Sequence, residues 1–340
     1  MPLQRCSFTA ISDLLARPRR RSYDTAVRAV FEIRPPAWGE TLAILQSVSV
    51  PDGPERARAR VVAVDGERVT LEFPALDEET SAEQLLAACV AGEWADRGDV
   101  ESCRLVEMEW PEGMPGPAFP AQPGVSVGAI VKPALGLSPV EAAAVAAQLA
   151  AGGAVLVKDD ELQRSSPERV RAIGAAIPED VLYAANVTGA DVDAIVAAGA
   201  RALMINAFLA GLGSIARLRE YGLPIFVHRV GSAFLRRGGP VSVSAGVLAE
   251  LTRLLGADYV QVGSFSPRTF DSDDEVREQI AAVRPATAVI GGGVGPDNAR
   301  EQLEQAGTRD GVMLLLGSAA YAHPGGVREG VAATVAAIGD

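Results

Sequence analysis

Between residues 125 and 340 one unit recurs: a short apolar run, a polar or glycine-rich turn, then an alanine-rich stretch whose apolar positions have helical spacing. The apolar runs fall at 127–133, 154–160, 181–187, 202–208, 224–230, 258–265, 288–292 and 312–317. Each is a near-continuous series of Val, Ile, Leu and Ala rather than an alternation. That is the mark of a strand buried on both faces, in a parallel sheet covered by helices. Eight such units in a stretch of this length predict a closed (β/α)8 barrel, the TIM barrel. An open doubly wound sheet is the competing arrangement, but the GxGxxG turn that would favour it is missing after the first run.

Upstream the pattern changes. Residues 25–34 alternate as a strand and 38–47 have helical spacing. Residues 59–64 and 68–73 flank Asp65-Gly66, a pair that tolerates the positive φ of a tight hairpin. A hydroxyl cap at Thr80-Ser81, followed by Glu83 and LLAACV, predicts a second helix, and 102–110 closes the unit as a strand. The order β-α-β-β-α-β is that of a ferredoxin-like α+β domain. Residues 111–124, PEGMPGPAFPAQPG, are too rich in Pro and Gly for either regular structure. The expected organisation is an arm over 1–22, a ferredoxin-like domain over 23–111, a linker over 112–124 and the barrel over 125–340.

Composition narrows the function. Apolar residues at 48% and charged residues at 22% suit a soluble globular chain. No apolar run approaches the roughly 18 residues that cross a bilayer. Arg17, Arg19, Arg20 and Arg21 follow the weakly apolar N-terminal stretch instead of preceding it, which reverses a secretory signal and points to the cytoplasm. A net charge of −12 argues against a nucleic-acid surface, which needs concentrated Lys and Arg. Cys6, Cys89 and Cys103 form no CxxC pair and are odd in number, so neither a disulfide framework nor a zinc site is indicated.

A barrel of this kind carries its active site at the C-terminal ends of its strands. Polar residues accumulate there: Lys132, then Lys158-Asp159-Asp160-Glu161, Asn186, Asn206, His228-Arg229, and Gln261 with Gly263 and Ser264. The last two strands end in Gly291 to Gly293 and in Gly317-Ser318, whose exposed backbone amides can cradle a phosphate. Asp160 and Glu161 offer hard oxygen donors suited to magnesium. Lys158 shares a face with Asp160, and as an ammonium it would repel that ion. From spacing alone, a Lys/Asp ion pair without metal is an equal alternative. His228 beside Arg229 is a candidate for proton handling or oxyanion binding, and Lys132 for base chemistry.

The segments GAIVKPALGLSP, GGAVLVKDDE, VHRV, GGGV and GSAAYAHPGG are similar, in order and spacing, to the motifs of the RuBisCO large subunit and its relatives. The resemblance runs from Gly128 to Gly330. It implies that Lys158 carries carbon dioxide as a carbamate and binds Mg2+ together with Asp160 and Glu161. It makes Lys132 the acid/base at the substrate carbon and sets His228 and Arg229 against the metal-bound substrate and one phosphate of it. Asn186, Gln261, Ser264 and Arg268 join the substrate-contacting set, and Gly292, Gly293, Gly317 and Ser318 line a phosphate position. A homodimer, with the N-terminal domain covering a neighbour's barrel mouth, is also implied.

The departures matter as much. The KPK of carboxylases reads Lys132-Pro133-Ala134, a histidine is replaced by Ser232, the strand-six histidine by Gln261, and a phosphate-binding serine by Gly291. The mobile lysine after strand six is absent and Arg268 stands nearby. The partner-reaching segment has shrunk to Gln46-Ser47-Val48-Ser49-Val50, and its asparagine corresponds to Glu93. Such losses point away from carbon dioxide fixation. Relatives with similar losses resemble enolases or isomerases of phosphorylated keto-sugars, including methylthio-sugar phosphates, or decarboxylases of related sugar acids. The resemblance implies Mg2+-dependent removal of a proton beside a carbonyl of a small phosphorylated substrate. A ribulose-bisphosphate carboxylase and a non-catalytic RuBisCO-like scaffold are the alternatives.

Overall fold

The structure, a computed structural model, describes residues 27–45, 47, 58–73, 100–110, 114–237 and 239–339. The arm, the helix expected from Thr80-Ser81 onward, Glu93 and all but Ser47 of the shrunken segment lie outside the described residues.

The eight apolar runs form the barrel strands. These are β5 (Val125–Ile130), β6 (Leu156–Lys158), β7 (Leu182–Asn186), β8 (Ala202–Ile205), β9 (Ile225–Val227), β11 (Tyr259–Val262), β12 (Thr287–Gly291) and β13 (Val312–Leu316). They pair in parallel in that order and close β13 onto β5. Each strand has two buried faces, which explains its continuous apolar sequence. One face packs inward, where Leu156, Ala184, Met204, Phe226, Val289 and Met313 fill the barrel. The other joins the larger cluster beneath the surrounding helices, with Val157, Leu203, Ile205, Val260, Ile290 and Leu314.

The helices begin where the sequence supplies caps. Ser138 and Glu141 form a reciprocal capping box on Pro139–Ala151, and Ser272 and Glu275 form one on Asp273–Ala282. Each cap satisfies otherwise orphaned backbone amides and is worth about 1 kcal/mol. Among the described residues no helix is long and apolar enough to cross a membrane.

The N-terminal region contributes β1 (Val27–Arg34), the helix Trp38–Leu45, β2 (Arg60–Asp65), β3 (Arg68–Phe73) and β4 (Ser102–Met108). β1 lies between β3 and β4 and is antiparallel to both, the strand order of the ferredoxin-like topology. One strand was not foreseen. β10 (Val241–Val243), from the connection after β9, adds to the edge of β4 in parallel, with Ser242 opposite Arg104. The segment following His228 and Arg229 is thereby stitched to the N-terminal sheet. At the opposite end of the barrel, the Pro/Gly-rich stretch is tied down by Asp258, whose Oδ1 accepts the N–H groups of Ala118 and Phe119 at 2.8 Å.

Candidate active site

Strand side chains alternate in direction, so the inward series can be followed past each strand end. From Leu156 it leads to Lys158 and Asp160, from Ile130 to Lys132, from Ala184 to Asn186, from Met204 to Asn206, and from Phe226 to His228. Lys158 is fully buried, with Nζ 5.6 Å from the centre of the Phe226 ring and 2.6 Å from the carbonyl of Asp159, to which it donates. Burial pushes its ammonium down to about 8, against the pull of Glu161, Asp160 and Asp159. Lys132 reaches Asp160, Nζ to Oδ2 2.6 Å, and keeps 32% of its side chain exposed. Burial raises the Asp160 carboxyl, but the bonds from Lys132 and the Leu162 amide outweigh it and the net shift is downward.

These are the only two lysines in the chain; every other one of the 31 Lys and Arg residues is arginine. That asymmetry can be read by counting.

Asp159 faces the other way. Its Oδ1 accepts Arg169 Nε at 2.8 Å, and its Oδ2 accepts the Tyr183 hydroxyl at 2.6 Å and the backbone N–H of Asn186 at 3.2 Å. It is a buried anchor outside the barrel, and it fixes the turn that presents Asp160 and Glu161. Asn186 and Asn206 hold that turn from within. Asn186 Nδ2 lies 3.3 Å from the Asp160 carbonyl and 3.2 Å from that of Glu161, which also accepts Asn206 Nδ2 at 3.0 Å. The side-chain oxygen of Asn186, Oδ1, accepts the Thr188 N–H.

His228 Nδ1 accepts the Val230 N–H at 3.1 Å, which assigns the ring proton to Nε2, 3.5 Å from Glu161 Oε2. Burial, then Lys158, Arg229 and Lys132, hold the imidazole well below its ordinary pKa, so it stays neutral.

The structure brings the glycine-rich ends together with Arg268. Gly292 and Gly293 have φ of 119° and 79°, values open to glycine, and a Cβ on Gly293 would meet Arg268 Cδ at 3.1 Å. Arg268 Nη1 lies 3.5 Å from Ser318 Oγ, and Ser264 Oγ donates to the Gly292 carbonyl at 2.5 Å. A Cβ on Gly317 would stand 3.8 Å from Lys132 Cε, which joins this end to the lysine pair. No carboxylate among the described residues forms an ion pair with Arg268, which is exposed.

Arg229 is placed differently. Its Nη2 is 2.6 Å from Asp271 Oδ2, and Asp271, whose side chain is fully buried, also pairs with Arg236. Burial raises the Asp271 carboxyl, but the two guanidiniums more than offset it and hold it below its ordinary value. Arg229 and Gln261 line one small cavity, and Arg229 Nη1 and Gln261 Oε1 have no hydrogen-bond partner among the described residues. Gln261 Nε2 lies 3.1 Å from where a Cβ on Gly291 would stand, so the missing serine side chain makes room for the amide.

Sequence reasoning missed the supporting residues: Asp159 with Arg169 and Tyr183, Asp271 with Arg236, and Tyr321, whose hydroxyl bonds the backbone at Lys132.

The model of the ribulose bisphosphate carboxylase large chain, catalytic domain, matches residues 118–283. A 3-oxo-isoapionate-4-phosphate decarboxylase of Rhizobium rhizogenes is 30% identical over 306 residues, which span 78% of this chain and 73% of the relative. One of the same name from Rhizobium etli is 29% identical over 91% of this chain and 79% of its own length. The octameric RuBisCO of Pyrococcus horikoshii superposes with a TM-score of 0.79 at 26% identity, over 94% of this chain and 90% of that one. A RuBisCO-like protein from Burkholderia fungorum, 23% identical, shares the fold with a TM-score of 0.79 over 92% and 93% of the two chains. The barrel, its strand-end lysines and these likenesses define one class: the chain belongs to the RuBisCO large-chain family. Within it, the chain is similar to RuBisCO-like proteins as well as to carboxylases.

The family implies a metal, and the donor set decides whether one fits. Among the described residues no three His, Cys, Asp or Glu side chains gather as a metal-binding group. Asp160 and Glu161 would supply two hard donors, and Lys158, inward beside them, would be the third. The set suits Mg2+ in one form only, with the Lys158 amine bearing a carboxyl that turns a cation into an oxygen ligand.

Proposed function

We propose that this chain is a Mg2+-dependent enzyme that removes a proton from the carbon beside a carbonyl of a small, singly phosphorylated keto-sugar, and that it does not fix carbon dioxide. Lys158 as its carbamate, Asp160 and Glu161 would hold the ion. When bound, it would polarise the substrate carbonyl and lower the cost of taking the neighbouring proton. The observation that carries the reading is the placement of the only two lysines on either side of Asp160, one buried and one open to the mouth.

Lys132 is the group suited to take the proton. With Lys132 neutral, its own proton given up to solvent at the open mouth, the C–H bond breaks, its electron pair flows toward the carbonyl oxygen, and the proton passes to the free Lys132 amine. Neutral His228, with its proton on Nε2, can donate a hydrogen bond to the oxygen as it gains charge. Arg268, Ser318 and the Gly292-Gly293 backbone would bind the phosphate, where an exposed guanidinium has no competing carboxylate among the described residues. Arg229 is already paired with Asp271, which disfavours a second phosphate there.

A second reading is favoured by the decarboxylases among the relatives. Loss of carbon dioxide from a 3-oxo acid places an electron pair on the same carbon, and Lys132 would then return a proton to it. Family relatives described as dimeric or octameric make a homodimer the assembly proposed for this chain.

The test is a panel of keto-sugar phosphates, including 3-oxo-isoapionate 4-phosphate and methylthio-sugar phosphates, incubated in D2O with Mg2+ and bicarbonate. Deuterium uptake beside the carbonyl, or release of carbon dioxide, is expected for at least one member. Both should depend on Mg2+ and bicarbonate. Acid-stable label from bicarbonate and ribulose bisphosphate would instead mark a carboxylase. Failure to bind Mg2+ in a bicarbonate-dependent way would mark a scaffold.

A further inference from the structure

Lys132 stands beyond the last paired residue of its strand, and something must hold it there. β13 ends at Leu316, opposite Ala129 of β5. On the β6 side the ladder continues, because Val131 N–H donates to the Lys158 carbonyl at 2.9 Å. The Ile130 carbonyl and the Lys132 N–H point the other way, toward the side that β13 has left, since the chain turns at Gly317 into the helix Ser318–Tyr321. Two backbone groups would be stranded.

The Tyr321 hydroxyl fills the gap. It accepts the Lys132 N–H at 2.8 Å and donates to the Ile130 carbonyl at 2.9 Å. These are the two bonds that one more residue of β13 would make. Burial pushes the phenol up to about 12, so it keeps the proton that it donates. The same four-residue helix begins with Ser318, next to Arg268. One element therefore touches both the lysine and the anion-facing end.

We propose that Tyr321 is a positioning residue for Lys132, its hydroxyl standing in for the missing peptide of β13 and fixing the backbone from which the amine reaches the substrate carbon. This rests on Lys132 being the proton-transfer group. A phenylalanine would keep the ring and leave both backbone groups unmatched, so the amine would lose its register with Asp160 while the phosphate contacts stay in place.

The test uses full-length Tyr321→Phe, Lys132→Met and the double variant. Amide hydrogen exchange at Lys132 should rise about tenfold or more in Tyr321→Phe. With the keto-sugar phosphate that the wild type exchanges fastest, kcat should fall about 10- to 100-fold while KM stays within about twofold. In the Lys132→Met background the second substitution should add less than about twofold. Unchanged amide exchange at Lys132 overturns the proposal, as does an equal loss in both backgrounds, which would mark a general structural role. An active Lys132→Met variant sinks the assignment of Lys132 and the inference with it, whereas an unimpaired Tyr321→Phe beside an impaired Lys132→Met sinks the inference alone. Should Tyr321→Phe fail to fold, 3,5-difluorotyrosine at 321 keeps the shape and alters the strength of both hydrogen bonds, and the same comparison is read from it.

Discussion

Asp160 and Asp271 are both buried carboxylates with two basic neighbours, and both are held below the ordinary carboxylate value despite burial. Their neighbours differ. Around Asp160 stand Lys132 and Lys158, and around Asp271 stand Arg229 and Arg236. An arginine does not give up its charge at any physiological pH, and its planar fork suits a fixed pair. A lysine can lose a proton or be modified when burial weakens its ammonium. One carboxylate therefore sits in a set of charges open to change, and the other in a permanent lock between β9 and the segment after β11. The lesson is that burial and charge count do not distinguish chemistry from architecture; the identity of the cation does.

The largest effect is expected from Lys158→Met. Exchange activity should fall by roughly three orders of magnitude or more. The folded state should be no less stable in urea, since a fully buried cation gives way to an apolar side chain of similar length. A substantial loss of stability would place Lys158 with the architecture. Next in size, Asp271→Ala leaves two guanidiniums without their carboxylate and should cost about 3–5 kcal/mol in urea unfolding. Activity per folded molecule should fall far less than in Lys158→Met.

Arg268→Ala should raise KM about tenfold with kcat nearly unchanged, if its role is to bind an anion equally in ground and transition states. A collapse in kcat would move Arg268 into the chemistry. The smallest effect is in acid. The folded pKa of Asp271 lies below its unfolded one, so its contribution is complete above the unfolded value, about 3.9, and is lost as pH falls through the folded value. Urea midpoints of the wild type should drop more steeply below pH 4 than those of Asp271→Asn. Parallel curves would show that Asp271 is not a source of the acid sensitivity.

Much of the barrel was legible because strands with two buried faces are written as unbroken apolar runs. Their ends were less so. The run at 202–208 stops as a strand at Ile205, where Asn206 turns its amide to the Glu161 carbonyl and a short helix, Ala207–Ala210, begins. β10 was invisible, since three residues carry no period and the strand exists only because β4 offers an edge. Lys158, Asp160 and Glu161 stood out from spacing, but the outward turn of Asp159 followed only from strand alternation combined with Arg169 and Tyr183. Asp271 sits in an acidic run, DSDDE, that reads as the start of a helix, and its two arginines lie 35 and 42 residues upstream. Tyr321 reads as an aromatic on an alanine-rich helix, and nothing in its neighbours announces a bond to residue 132.

The scarcity of lysine has a practical consequence. Any reagent selective for side-chain primary amines has two addresses on this molecule, both at the barrel mouth: one open and one sealed. Acylation mapped by mass spectrometry would thus act as a built-in gauge of occupancy, with the open address shielded when a ligand settles over it and the sealed one silent until the protein opens.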